Sequence, residues 1–193
     1  MKILGIMGSP RIKSNTDLLL SEAFKRAQTL GVEVEKIVPD KLNISPCREY
    51  LGCLKDGNCV IRDDMDEAYL KILDANALII ATPIYFYGIS AQAKAVIDRC
   101  QALWARKFIL KQDMPNPNKK GALIAVGATK GMKLFDGVIL TVKNLFHCIG
   151  VEYSEELLIR RVDKRGEIKD HPEALAEAFE LGRKLAKQLQ NSR

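Results

Sequence analysis

The 193-residue sequence is short of the features from which a function is most often read. No apolar run approaches the ~20 residues of a bilayer span, which excludes a transmembrane helix. The N-terminus opens directly into strand-like residues without a charged region and signal core, so the expected location is cytoplasmic. There is no internal repeat and no low-complexity segment, and a single domain over 1–193 is expected. Histidine is reduced to His147 and His171, both remote in sequence from the clustered cysteines, so a zinc site lacks an evident fourth ligand. The five cysteines, Cys47, Cys53, Cys59, Cys100 and Cys148, are an odd number and do not suit a disulfide framework. The formal charge is +6, but Lys and Arg are scattered and alternate with acidic residues, which argues against a nucleic-acid partner. It favours small anionic ligands such as a phosphorylated cofactor or a nicotinamide nucleotide.

Among the features present, the most informative is Lys2 to Thr16, KILGIMGSPRIKSNT. Ile3, Leu4, Ile6 and Met7 form a strand-length apolar run that Gly8, Ser9 and Pro10 stop. A helix is expected to start near Ser14-Asn15-Thr16 and to continue through Leu18, Leu19, Leu20, Ala23, Phe24, Ala27 and Leu30. The first N–H groups of such a helix lack internal partners and carry the positive end of its dipole, so they attract an anion. An ordinary capped turn accounts for the loop taken alone equally well. The segment is neither a GxGxxG nor a GxxxxGK[ST] loop, so its ligand is held in another way.

The remaining pattern alternates strands and helices. Val32 to Val38 reads as an edge strand, Pro39 to Asp63 as an aperiodic stretch bearing cysteines, and Met65 to Leu73 as a helix. Ala77 to Thr82 is a buried strand ended by Pro83. A helix follows over Ser90 to Ala105, then a polar loop over Asp113 to Lys120 and a buried strand over Ala122 to Val126. The loop Gly127 to Gly131 leads to a helix over Leu134 to Cys148, a strand over Val151 to Ile159 and a helix over Pro172 to Gln190. Central strands apolar on both faces imply a doubly wound parallel α/β sheet covered on both sides. In such sheets, ligands bind beyond the carboxyl ends of the strands. The loops after Met7, Ala81 and Val126 all open there.

The second of these loops, TPIYFYGIS over Thr82 to Ser90, sets three consecutive aromatics on a strand-to-helix turn, which suits a flat conjugated ligand. Together, GSPRIKSNT, TPIYFYGIS and Lys94-Ala95-Val96-Ile97-Asp98-Arg99 resemble the flavodoxin-like NAD(P)H-dependent FMN reductases, and within them the iron-sulfur flavoproteins. The resemblance runs from Lys2 to about Leu158. It implies a five-stranded sheet in the order 2-1-3-4-5 and bound FMN. By motif position, Ser9, Arg11, Ser14, Asn15 and Thr16 would hold the 5′-phosphate. Pro83, Ile84, Tyr85, Phe86 and Gly88 would line the isoalloxazine ring, and Gly127, Thr129 and Gly131 its other side. It also implies a homodimer or homotetramer, with NADH or NADPH as electron donor and a small acceptor such as free flavin or a quinone. Lys94, Asp98 and Arg99 belong either to the interface between copies or to a solvated helix face.

The iron-sulfur branch places four cysteines in a compact loop to ligate a 4Fe-4S cluster. Here Cys47, Cys53 and Cys59 match the first, third and fourth positions, and Tyr50 stands at the second. The simpler reading is a member that has lost its cluster. Cys100 and Cys148 read as small buried apolar residues. The expected function is therefore an FMN-dependent oxidoreductase. The alternative is an electron-transfer flavoprotein reduced by a ferredoxin-type donor through the cysteine loop. No residue is assigned a catalytic role.

Overall fold

The apolar runs of the sequence become the centre of one sheet. In the computed structural model, which describes residues 1–191, β1 (Lys2–Met7), β3 (Ala77–Tyr85) and β5 (Lys119–Gly127) are the inner strands. Their flanks are β2 (Glu33–Ile37) and β6 (Val151–Arg160). These strands are parallel, in the order β2-β1-β3-β5-β6. This is the expected 2-1-3-4-5 arrangement, renumbered by a short strand β4 (Gly88–Ile89) that pairs antiparallel with the end of β3.

The alternation of side chains along a strand divides the core in two. Leu4, Ile6, Leu78, Ile80, Leu123 and Ala125 pack with α3 (Met65–Asp74), α4 (Ala91–Arg99), α5 (Gln101–Trp104) and α6 (Asp136–Ile149). Ile3, Met7, Ala77, Ile79, Ala122 and Ile124 pack with α1 (Asn15–Thr29) and α7 (Pro172–Asn191). The stretch predicted to be aperiodic contains a 3-10 turn over Pro39–Lys41 and one α-helical turn, α2 (Cys53–Asp56), which Gly57 closes in a left-handed conformation at φ 80°. No helix among the described residues is long and apolar enough to cross a membrane.

Two expected boundaries differ. β3 does not end at Pro83: Pro83 still lies opposite Val126 of β5, and Ile84 and Tyr85 then find partners in Ile89 and Gly88 as the chain doubles back. The helix expected over Ser90 to Ala105 breaks at Cys100. Tyr69 Oη donates to the Arg99 carbonyl at 2.6 Å. The N–H of Leu103, whose regular partner would be that carbonyl, turns instead to the Cys100 carbonyl at 2.9 Å, which also accepts from Trp104 at 3.0 Å, and the chain continues through a wide turn over Ala105–Ile109.

Candidate functional site

At the carboxyl edge of β1 the chain makes a loop whose donors are left over by the helix it starts. Ser14 caps α1: its Oγ accepts from the Asp17 N–H at 3.2 Å and its carbonyl from the Leu18 N–H at 3.0 Å. The N–H groups of Ser9, Ser14, Asn15 and Thr16 have no partner within the described residues, and all four residues are buried. Thr16 is 1% exposed, yet its hydroxyl makes no hydrogen bond there. Donors left open on a cavity at the positive end of a helix attract an anion.

The buried Ser90 hydroxyl ties the first loop to the second, and the buried Thr82 hydroxyl braces the second. Ser90 Oγ donates to the Gly8 carbonyl at 2.6 Å and accepts from the Ala93 N–H at 3.3 Å, capping α4. The Ser90 N–H donates to Thr82 Oγ1 at 3.2 Å, and that hydroxyl donates to the Pro83 carbonyl at 2.9 Å. Gly8 permits this approach, since a Cβ there would lie 2.8 Å from both Ser90 Oγ and Ala93 Cβ.

The second loop is a hairpin with its turn at Phe86 and Tyr87, both left-handed at φ 48° and 63°. Two-residue hairpin turns of this hand favour Asn-Gly, because a side chain at positive φ is strained by about 1–2 kcal/mol. The turn holds Phe86 fully in solvent and lays Tyr87 against the third loop. A Cβ on Gly131 would lie 3.0 Å from Tyr87 Oη, and one on Gly137 would lie 2.6 Å from the Tyr87 carbonyl oxygen.

One cavity of about 150 Å³ collects Ser9, Arg11, Ser14, Asn15 and Thr16 with Pro83, Ile84 and Tyr85. That is below the several hundred Å³ of a whole cofactor site, so it has room for only one end of such a ligand. The other expected residues stay outside it. Phe86 sits in the hairpin turn, Gly88 opens β4 opposite Tyr85, Gly127 ends β5, Thr129 is exposed, and Gly131 backs Tyr87. Asn15 corrects the expectation in another way. Its side-chain amide is spent on Lys164 O at 2.9 Å and on the Ile168 N–H at 3.2 Å, so its free donor toward the cavity is the backbone N–H. Sequence reasoning missed Val126, Ala128, Val162, Asp163 and Arg165, which complete the lining. The signal for the last three was the polar stretch directly after β6, which opens at the same sheet edge.

The cysteine loop forms a separate site. Cys47, Cys53 and Cys59 line one cavity of about 360 Å³ with Tyr50 at its rim. Among the described residues no group of three potential ligands is placed to hold a metal ion. Burial pushes the Cys53 thiol upward, away from the thiolate that metal ligation requires. With a phenol at the second ligand position, the residues do not fit a four-cysteine cluster, and no electron path is drawn through one. A fully buried guanidinium holds the loop instead. Arg99 donates to Asp63 Oδ2 at 2.7 Å, Ser45 O at 2.9 Å and Ile61 O at 3.0 Å. Burial pushes the Asp63 carboxyl up, but Arg99 and the N–H groups of Ser45 and Met65 outweigh it and hold it below the usual carboxylate range.

A doubly wound parallel sheet with buried, partnerless N–H groups where the strand order reverses between β1 and β3 defines a flavodoxin-like anion-binding protein. The chain belongs to the NADPH-dependent FMN reductase family, which it matches over residues 1–145. It is 42% identical over 141 residues to an iron-sulfur flavoprotein of Archaeoglobus fulgidus, an alignment spanning 72% of this chain and 69% of that one. It is 34% identical over 187 residues to YwqN of Bacillus subtilis, assigned as an NAD(P)H-dependent FMN-containing oxidoreductase, spanning 94% and 96% of the two chains. An NAD(P)H:quinone oxidoreductase from Methanothermobacter marburgensis shares the fold at a TM-score of 0.76 and 17% identity, over 96% of each chain.

Proposed function

We propose that this protein is an FMN-dependent oxidoreductase that draws electrons from NADH or NADPH and delivers them to a small acceptor such as free flavin or a quinone. The observation that carries the reading is the set of buried, partnerless N–H groups of Ser9, Ser14, Asn15 and Thr16 beside the aromatic hairpin at the β1/β3 switch point. When bound, FMN would supply hydride and one-electron chemistry. The chain binds and orients it. Those N–H groups and the Thr16 hydroxyl donate to the 5′-phosphate, and Arg11 adds charge. Pro83, Ile84 and Tyr85 form the wall beyond the phosphate, and Phe86, Gly88, Gly127, Thr129 and Gly131 border the open edge where a flat ring lies. N–H groups of these loops would favour negative charge at that edge. Hydride exchange between two such rings requires no general acid or base from the chain.

The test is anaerobic addition of NADH or NADPH to the FMN-loaded protein, with loss of the flavin's visible absorbance expected. The second reading is an electron-transfer protein reduced by a ferredoxin-type donor; Cys47, Cys53 and Cys59 share one cavity, but Tyr50 at the second ligand position weakens it. Bleaching by a ferredoxin but by neither nucleotide would establish that reading and overturn the first. We further propose self-association through the hairpin, the loop after β5 and α6, where Phe86, Tyr87, Met132 and Leu140 are exposed. A sedimentation experiment that finds only monomer would refute it.

A further inference from the structure

The connection between β6 and α7 reaches the phosphate-type cavity from beyond residues 1–145, the part of the chain that the family match covers. It arrives already shaped. Glu167 Oε2 accepts from the N–H groups of Asp163 and Lys164, at 2.8 and 2.7 Å, and Gly166 turns the chain at φ 80°. The Asn15 amide fastens both ends of the turn to the start of α1, through Lys164 O and the N–H of the fully buried Ile168. Arg165 lies between those two fastenings.

Two arginines, Arg11 and Arg165, and one acidic residue, Asp163, all exposed, are therefore among the residues that line the cavity. Neither guanidinium makes a hydrogen bond or ion pair among the described residues. Most other long cations near the sheet do: Lys2, Lys36, Lys71 and Lys120 each have a carboxylate partner. Two unpaired guanidiniums beside buried partnerless N–H groups and the unbonded Thr16 hydroxyl match the geometry and charge of a phosphate dianion.

We propose that Arg165 is a second cationic arm of the phosphate site, and that Asn15 is a positioning residue that docks the Arg165 turn. This rests on the FMN reading and names a discriminator within that site, one that selects the phosphorylated flavin over the unphosphorylated one. Asp163 opposes it, weakening the hold on the dianion so that the cofactor exchanges.

The experiment titrates FMN and riboflavin separately into apoprotein and follows quenching of flavin fluorescence. Arg165→Gln is expected to weaken FMN by roughly 10-fold, the lower end for a charge-assisted hydrogen bond because the arm is exposed, and to leave riboflavin unchanged. It should also flatten the salt dependence of FMN affinity. Asp163→Asn should tighten FMN, and only FMN. Asn15→Ala should weaken FMN, and adding Arg165→Gln to it should have little further effect, because the arm is already misplaced. Unchanged FMN affinity in Arg165→Gln, or equal losses for FMN and riboflavin, overturns the proposal while leaving the FMN reading intact. A wild-type protein that binds neither flavin refutes both.

Discussion

Ser90→Ala tests whether the site's two main loops are one mechanical unit. The Ser90 hydroxyl is fully buried and acts twice, donating to the Gly8 carbonyl at 2.6 Å and accepting from the Ala93 N–H at 3.3 Å. Removing it deletes the N-cap of α4, worth about 1 kcal/mol. It also strands the Gly8 carbonyl, which accepts no other hydrogen bond among the described residues, and a buried unsatisfied acceptor costs about 1–3 kcal/mol. The methyl of alanine fits where the serine Cβ already sits, so no cavity larger than the lost oxygen opens. The expected destabilisation is therefore about 2–4 kcal/mol, read from the midpoint of urea unfolding at unchanged slope. FMN affinity should fall with it, because the Gly8-Ser9 turn loses its tether. A destabilisation under about 0.5 kcal/mol, the range of ordinary surface substitutions, would refute the idea that this hydroxyl joins the loops.

Other predictions concern the rest of the chain. Arg99→Met should destabilise by about 3–5 kcal/mol, since it leaves the Asp63 carboxylate buried without its partner, and it should speed modification of Cys53 by a thiol reagent. Unaltered Cys53 protection would show that the loop does not depend on Arg99. Asp63 is held below its ordinary range, so its contribution is fully present above the unfolded-state value and is lost as pH falls through the folded one. Acid unfolding of Asp63→Asn should accordingly be less steep than that of wild type. Phe86→Asn with Tyr87→Gly should relieve the left-handed turn and stabilise the fold by about 1 kcal/mol in thermal unfolding, while slowing turnover with NADH or NADPH. Lys119 is buried under the end of α3, with Nζ on the carbonyls of Ile72 and Leu73 at 2.7 Å each, and burial pushes it down to about 8. The penalty on its charged form is present below that value and relieved as pH rises toward the unfolded-state value. Wild type should gain stability relative to Lys119→Met over that interval, and a flat difference would contradict the assignment.

The sequence by itself determined the parallel sheet, its two covered faces and the strand-to-helix loop after β1, because each rests on local chemistry: apolar runs of strand length, a Ser cap, and N–H groups left over by a helix start. It also located the aromatic turn by residue type, and the family resemblance showed Tyr50 standing where the second cluster cysteine is expected. Tertiary structure alone decided what those residues touch. Pro83 stays inside β3 because Val126 lies beside it, and the helix after Ser90 breaks where a distant Tyr69 hydroxyl captures the Arg99 carbonyl. Asn15 reads as a phosphate donor in the sequence, yet in the fold its amide faces residues 164 and 168, some 150 positions away. Arg165 carries no periodic or motif signal and enters the cavity only because β6 ends at the same sheet edge as β1. Local propensity acts over a few residues, whereas the site is assembled by strand register, which couples residues that the chain keeps far apart.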